Sequence, residues 1–392
     1  MTAGGFSSKR LARLRGLTEH YVDSGFVPGM VVVLARHGEV HVEATGHLAF
    51  EGAGSATPMA TDTICRIASM TKPIVAACAM TLVEDCTLRL DDPVDDLLPE
   101  LAEMTVLVDP DGPLDDTVPA RRPIALRDLL AFTLGTGMVL AEPGTAPIGD
   151  ALAAVGAPPP DEWIGRLGAL PLVHQPGERW MYETGADVTS VLVARATGMS
   201  FGEALRERLF DPLGMKDTAF MVRAENLNRF ATAYAVGGGP VVEDAPDGRW
   251  SRLPVFEDGG GGLVSTADDF LAFGTALLEG GSRDGVRVLS RPAVTLMTAD
   301  HLSPAQKAVS GFWPGYFDDV SWAFGMNVRT RRTRVGPSVG TYGCPGKYGT
   351  AWYNDPAEDL TAVVMIQREH AGDQRLPMWN DIWTTIYQAI DD

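Results

Sequence analysis

Segments that read as β-strands lie at the two ends of this chain and leave its middle to helices. Near the start, Met30 to Ala35 is apolar and β-branched, His37-Gly38 supplies a turn, and Val40 to Thr45 returns: the pattern of a β-hairpin. In the last third, Ser321–Thr330 and Gly349–Tyr353 read as extended, Asn354-Asp355-Pro356 as a turn, and Leu360–Gln367 as an apolar strand. From Asp91 to Phe220, helical patches at Arg127–Phe132, Asp161–Gly168 and Ala186–Thr197 are separated by Pro- and Gly-rich connections. Strands from both ends must meet across that insertion. The expected fold is α/β, of the α+β type: a sheet domain from residues 1–90 and 221–392, and a mostly helical inserted domain from 91–220. A cleft between them is the natural place for a site.

Three further helices frame this plan. Leu11, Leu14, Leu17 and Tyr21 repeat at three- and four-residue intervals and predict a helix over Ser8–Ser24. Met70 to Val83 is long and apolar enough for a buried helix, and Met378 to Ile390 closes the chain as an amphipathic one. Pro143–Pro160 and Gly237–Gly262 are long irregular connections of the kind that form lids.

A net charge of −19 and a pI near 4.7 exclude the basic face that nucleic acid requires, and such a surface repels anionic membranes. No apolar stretch is long enough to span a bilayer, and Met1–Arg15 lacks the apolar core of a secretory signal. Cys65, Cys78, Cys86 and Cys344 show no CxxC spacing, and Cys78 and Cys86 read as small core hydrophobes. The expectation is a cytoplasmic protein with free thiols and no zinc. His37 and His41 flank a turn, and His20, His47, His174, His301 and His370 are scattered, so neither metal nor cofactor is expected.

Chemistry concentrates at Ser69-Met70-Thr71-Lys72, at the head of the second apolar helix. Residues three apart share a helical face, so the Ser69 and Lys72 side chains can meet. A serine hydroxyl is a poor nucleophile until a neighbour takes its proton, and a desolvated lysine can do so. The helix N-terminus favours a developing alkoxide, and Pro73 costs no hydrogen bond in a first turn. Lysine is scarce: Lys9, Lys72, Lys216, Lys307 and Lys347 are all the chain has.

Ile67-Ala68-Ser69-Met70-Thr71-Lys72-Pro73 resembles the nucleophile segment of serine β-lactamase-like esterases and penicillin-binding proteins. So, in the same order, do Leu90-Asp91-Asp92-Pro93-Val94, Leu98-Pro99-Glu100, Asp211-Pro212-Leu213-Gly214-Met215 and Gly261-Gly262-Leu263-Val264-Ser265-Thr266-Ala267-Asp268-Asp269. The chain is similar to the class C β-lactamase and penicillin-binding-protein group, nearest the family VIII carboxylesterases. The resemblance implies a β-lactamase/transpeptidase-like fold, with a central antiparallel sheet flanked by helices, and cofactor-free acyl transfer on a small-molecule ester. Tyr182, after Gln175-Pro176-Gly177, would share the proton of Ser69 with Lys72, whose charge would bring the phenol into use near neutral pH. Thr184 stands where many relatives have Asn at the substrate.

The family's third element is a strand bearing Lys-Thr-Gly, His-x-Gly or Trp-x-Gly. Its counterpart here is Cys344-Pro345-Gly346 or, in another register, Lys347-Tyr348-Gly349, the first favoured by its spacing to the Asp-Pro turn. On that register the resemblance gives an oxyanion hole from the backbone N–H groups of Ser69 and Lys347, with Cys344, Gly346 and Tyr348 beside the substrate. The cation that grips a β-lactam or peptide carboxylate is then missing. Phe132-Thr133-Leu134-Gly135 departs from the family's His-Thr-Ser-Gly and so alters the cleft wall.

Gly198-Met199-Ser200-Phe201-Gly202 matches GxSxG in form, but a helical run precedes it where a strand is required. Gly198 reads as a helix C′ residue, and Ser200 with Glu203 as a capping box. The implied activity is ester hydrolysis through an acyl-enzyme. A β-lactamase or D-amino-acid peptidase, an acyltransferase, and a non-catalytic binding protein keeping the fold are the alternatives.

Overall fold

The computed structural model describes residues 2, 4–235, 237, 239–369 and 377–392; His370 lies outside them. The N-terminal hairpin forms as β1 (Gly29–Arg36) and β2 (Glu39–Gly46), paired in register through Val33 and Val42. His37 and Gly38 both adopt positive φ at its tip, as a two-residue hairpin turn demands. From the other end come β3 (Val320–Trp322), β4 (Asn327–Arg329), β5 (Tyr342–Pro345), β6 (Ala351–Asp355) and β7 (Leu360–Met365). The seven strands form one antiparallel sheet in the order β3-β4-β5-β6-β7-β1-β2, so the two chain ends meet where β1 pairs with β7. Helices cover both sides of this central antiparallel sheet, the architecture that the resemblance implies.

Strand alternation divides the core. Met30, Val32 and Leu34 face one side with Val364, against α1 (Ser8–Asp23) and, outlined last in the chain, the helix Pro377–Tyr387. Val31, Val33, Trp352 and Val363 face the other, against α2 (Thr71–Glu84) and the helix Ala267–Leu278. Because both faces are covered, β1 and β7 read as continuous apolar runs. The same core takes Leu126 and Leu129 from α3 (Leu126–Leu130), Ile164 from the helix Pro160–Gly168, and Val188 and Leu192 from the helix Thr184–Thr197.

Several local expectations are corrected. The extended segment Ser321–Thr330 is two strands, because Gly325, at φ +70°, turns the chain back. A Cβ on Gly325 would stand 2.6 Å from the carbonyl oxygen of Lys72, so this turn rests on the first turn of α2. Pro143–Pro160 contains a helix, Pro147–Ala154; Pro147 opens it, where a missing N–H is harmless. Gly237–Gly262 is no free lid at its end, since Gly260 bonds to Lys72 and Leu263 to Thr71. Cys78 is buried, but Cys86 is exposed just past the end of α2 with φ +63°.

Candidate active site

Ser69 sits on a one-turn 3-10 helix, Ala68–Met70, that runs directly into α2. Ala68 holds φ +44°, a left-handed conformation that costs a non-glycine residue energy and is kept here by packing on both sides. The turn is clamped from outside: Ile67 N donates to Leu263 O, and Leu263 N donates to Thr71 Oγ1. Ser69 is left half-buried, whereas Lys72 beneath it is fully buried.

The lysine ammonium has three hydrogens, and three acceptors meet them. Nζ lies 3.0 Å from Ser69 Oγ, 2.5 Å from Gly260 O and 3.0 Å from Glu183 Oε2, and 4.5 Å from the centre of the Tyr182 ring. Burial alone pulls the Lys72 pKa down, but the Glu183 carboxylate overrides it and the pKa lies above the ordinary lysine value. Lys72 is therefore an ammonium that donates to Ser69, not the proton-accepting amine that a desolvated lysine can offer. Tyr182 also departs from expectation. Burial raises its pKa further than Lys72 and the hydrogen bond to Ser69 lower it, so the phenol keeps its proton at neutral pH.

Tyr182 is placed from both sides of its backbone. Met181 N donates to Phe132 O, and Met138 N donates to Tyr182 O. Phe132, at φ +59°, is buried against the tyrosine, with ring centres 5.9 Å apart. Trp322 lies 5.7 Å and Phe312 5.1 Å from the Tyr182 ring, with Trp180 at 5.7 Å. This aromatic wall was not picked out from the sequence, although five aromatics crowd into residues 312–322.

Cys344, on β5, places Sγ 3.1 Å from Ser69 O, and burial pushes its thiol up to about 12, so it is neutral. Cys344 and Pro345 run past the last pair with β4, so β4 does not cover this stretch of β5. Gly346 closes on the turn that carries Ser69: a Cβ there would be 2.4 Å from Ile67 O. The Lys347 backbone follows directly, while its side chain turns toward Glu369, 3.1 Å away. Thr184 is half-buried at the start of its helix. Tyr348, expected beside the substrate, packs among Ala68, Val222, Phe230 and Trp250 and is nearly buried.

Glu183 escaped the sequence reading altogether. Neighbouring residues ordinarily point apart, so nothing in the order Tyr182-Glu183 places both on one lysine. A φ of +86° at Glu183 does so. A cavity of about 610 Å³ lies beyond, lined by Met138, Leu140, Phe312, Tyr316, Pro345 and Trp383 among others. Phe312, one of its lining residues, lies 5.1 Å from the Tyr182 ring.

Among the described residues no group of three or more His, Cys, Asp or Glu could hold a metal ion, and no helix is long and apolar enough to cross a membrane. Ser200 is the N-cap it was read as: its Oγ accepts from Glu203 N, and Glu203 accepts from Ser200 N. Ser200→Ala is expected to cost about 1 kcal/mol of stability and to leave turnover unchanged, as a denaturation curve beside an ester assay would show.

A model described as Beta-lactamase matches residues 14–383, and the chain belongs to that family; it is a serine hydrolase by class. Protein Rv1367c of Mycobacterium tuberculosis is 40% identical over 353 residues, 88% of this chain and 87% of that one. Esterase EstB of Burkholderia gladioli is 31% identical over 387 residues, 92% of this chain and 91% of its own. Among solved structures, unliganded simvastatin synthase (LovD) from Aspergillus terreus superposes with a TM-score of 0.79 at 25% identity, covering 98% of each chain.

Proposed function

We propose that the protein hydrolyses carboxylic esters through an acyl-enzyme on Ser69, in the cleft between the sheet domain of 1–90 and 221–392 and the inserted domain of 91–220. The observation that carries this reading is the 3.0 Å contact between Lys72 Nζ and Ser69 Oγ, beneath a strand edge whose Cys344 is a neutral thiol. Ser69 Oγ attacks the ester carbonyl carbon as its proton leaves by way of Lys72, which passes on one of its own as it receives that of Ser69. The backbone N–H groups of Ser69 and Lys347 receive the oxyanion, Cys344-Pro345-Gly346 being the third motif. Tyr182, protonated at rest, donates to the departing alcohol, and the phenolate so formed takes a proton from the attacking water. The tetrahedral intermediate then collapses and Ser69 regains its proton.

Without a cation at position 344, nothing on that strand grips a substrate carboxylate, which favours neutral esters over β-lactams and D-amino-acid peptides. The cavity beside Phe312 suits a bulky apolar acyl or alcohol part. Resemblance to EstB supports hydrolysis; likeness to a monacolin J acid methylbutanoyltransferase of Aspergillus terreus, 35% identical over 355 residues, supports acyl transfer as a second reading. Assays with p-nitrophenyl butyrate and nitrocefin separate the readings. Fast Ser69-dependent turnover of the ester and little of nitrocefin is the expected result, and the reverse preference overturns it. A rate that rises steeply with an added alcohol, giving the new ester, marks the acyltransferase.

A further inference from the structure

The geometry points to Glu183 as the residue that receives the nucleophile's proton through Lys72, a positioning and proton-holding role that rests on the Ser69 reading above. Its carboxylate and the Ser69 hydroxyl both touch the same ammonium, each at 3.0 Å and on the same buried nitrogen. The chain pays a conformational cost for this arrangement. Glu183 holds φ +86° and ψ −75°, the strained γ-turn region, immediately before the helix Thr184–Thr197. An ordinary backbone at that point would carry the carboxylate away from Lys72.

The surroundings fix which carboxyl group serves. Gly260 O accepts from Lys72, while Gly260 N donates to Asp187 Oδ1 at 2.7 Å, so one residue ties Asp187 behind the lysine. A Cβ on Gly260 would lie 2.6 Å from Glu183 Oε1 and 2.7 Å from Asp187 Oδ1, which leaves glycine as the residue that fits. Burial and the Glu183 charge raise the Asp187 pKa well above that of an ordinary carboxyl. Asp258 is likewise raised by burial, is bonded to Gly261 N, and faces Arg249 at 3.5 Å. Tyr182 and Cys344, on the remaining sides of Lys72, are neutral at rest. Glu183 is thus the anion in direct contact with the ammonium.

The transfer balances. As the Ser69 Oγ–carbon bond forms, the Ser69 proton moves to Lys72 Nζ and a lysine proton moves to Glu183 Oε2, so Lys72 stays an ammonium and Glu183 becomes a carboxylic acid. On deacylation both protons retrace their path and Ser69 leaves as a hydroxyl. Lys72 is the relay, and after each turnover it is again an ammonium beside the Glu183 carboxylate.

The test compares Glu183→Gln and Glu183→Asp with the native enzyme on p-nitrophenyl butyrate across pH, with thermal melting as a check on folding. Glu183→Gln is expected to lower kcat about 100-fold with KM little changed, the order of magnitude of one proton-transfer group. Its acid limb moves to higher pH, because Lys72 itself must then lose a proton before it can accept one. Glu183→Asp recovers part of the rate and the native limb. Native kcat and an unmoved acid limb in a folded Glu183→Gln overturn the role of Glu183. Full activity in Ser69→Ala overturns instead the reading on which it rests, so the two failures are distinguishable.

Discussion

Lys72→Met removes turnover by about 1000-fold or more while the protein still folds. The substitution keeps the aliphatic stem that fills the space under Ser69 and deletes the ammonium that meets Ser69 Oγ, Gly260 O and Glu183. Members of a unit that acts together cost nearly the whole chemical step when one is lost. Stability falls as well, because Gly260 O loses its donor and Glu183 its counter-charge. Glu183 keeps a third of its side chain in solvent, which limits that loss. The pH dependence has a definite sign. The folded pKa of Lys72 is raised above its unfolded value, so its contribution is fully present below the ordinary lysine pKa and is lost only as the pH climbs through the folded one. Native protein and Lys72→Met should therefore differ in melting temperature by a constant amount through the neutral range and converge only at strongly alkaline pH. A Lys72→Met enzyme with near-native kcat would exclude the relay.

Trp322→Ala is the most damaging expected change away from the reacting atoms. Trp322 is 1 % exposed and lies at the centre of the aromatic wall, 4.9 Å from Phe132, 5.3 Å from Trp180 and 5.7 Å from Tyr182. Emptying that volume costs about 3–5 kcal/mol. It also frees the Tyr182 ring to tilt, so kcat falls with stability. Trp322→Phe separates the two contributions. Trp322 Nε1 has no hydrogen-bond partner among the described residues, so a phenyl ring there forfeits packing but no bond. Chemical denaturation should rank native, Phe and Ala in that order, with the Phe variant close to native. A Trp322→Ala protein as stable as the native one contradicts the packing described.

Both expectations rest on features that differ in how far the sequence displays them. The spacing of Ser69 and Lys72 is a helical period, and helical periods survive tertiary context when a long apolar run follows. The hairpin of β1 and β2 is equally local, with register set by its turn. Glu183 is not local in this sense. It reaches Lys72 only because tertiary contacts hold a backbone conformation that its own residue type disfavours. The split of β3 from β4 depends on one glycine whose need for space comes from α2, more than two hundred residues earlier. Tyr348 stood beside the substrate only through the resemblance, and its packing with Val222, Phe230 and Trp250 comes from segments far away in the chain. Charge states were the hardest to foresee. Burial of Lys72 was legible and argues for a neutral amine, but the carboxylate that reverses the outcome was the residue the spacing did not expose.

The most direct test of the account is intact-mass spectrometry after incubation with a fluorophosphonate, followed by peptide mapping. One adduct per chain, on Ser69, formed at a rate that Lys72→Met abolishes, is the predicted result. No adduct on the folded protein, or an adduct on Ser200, contradicts it.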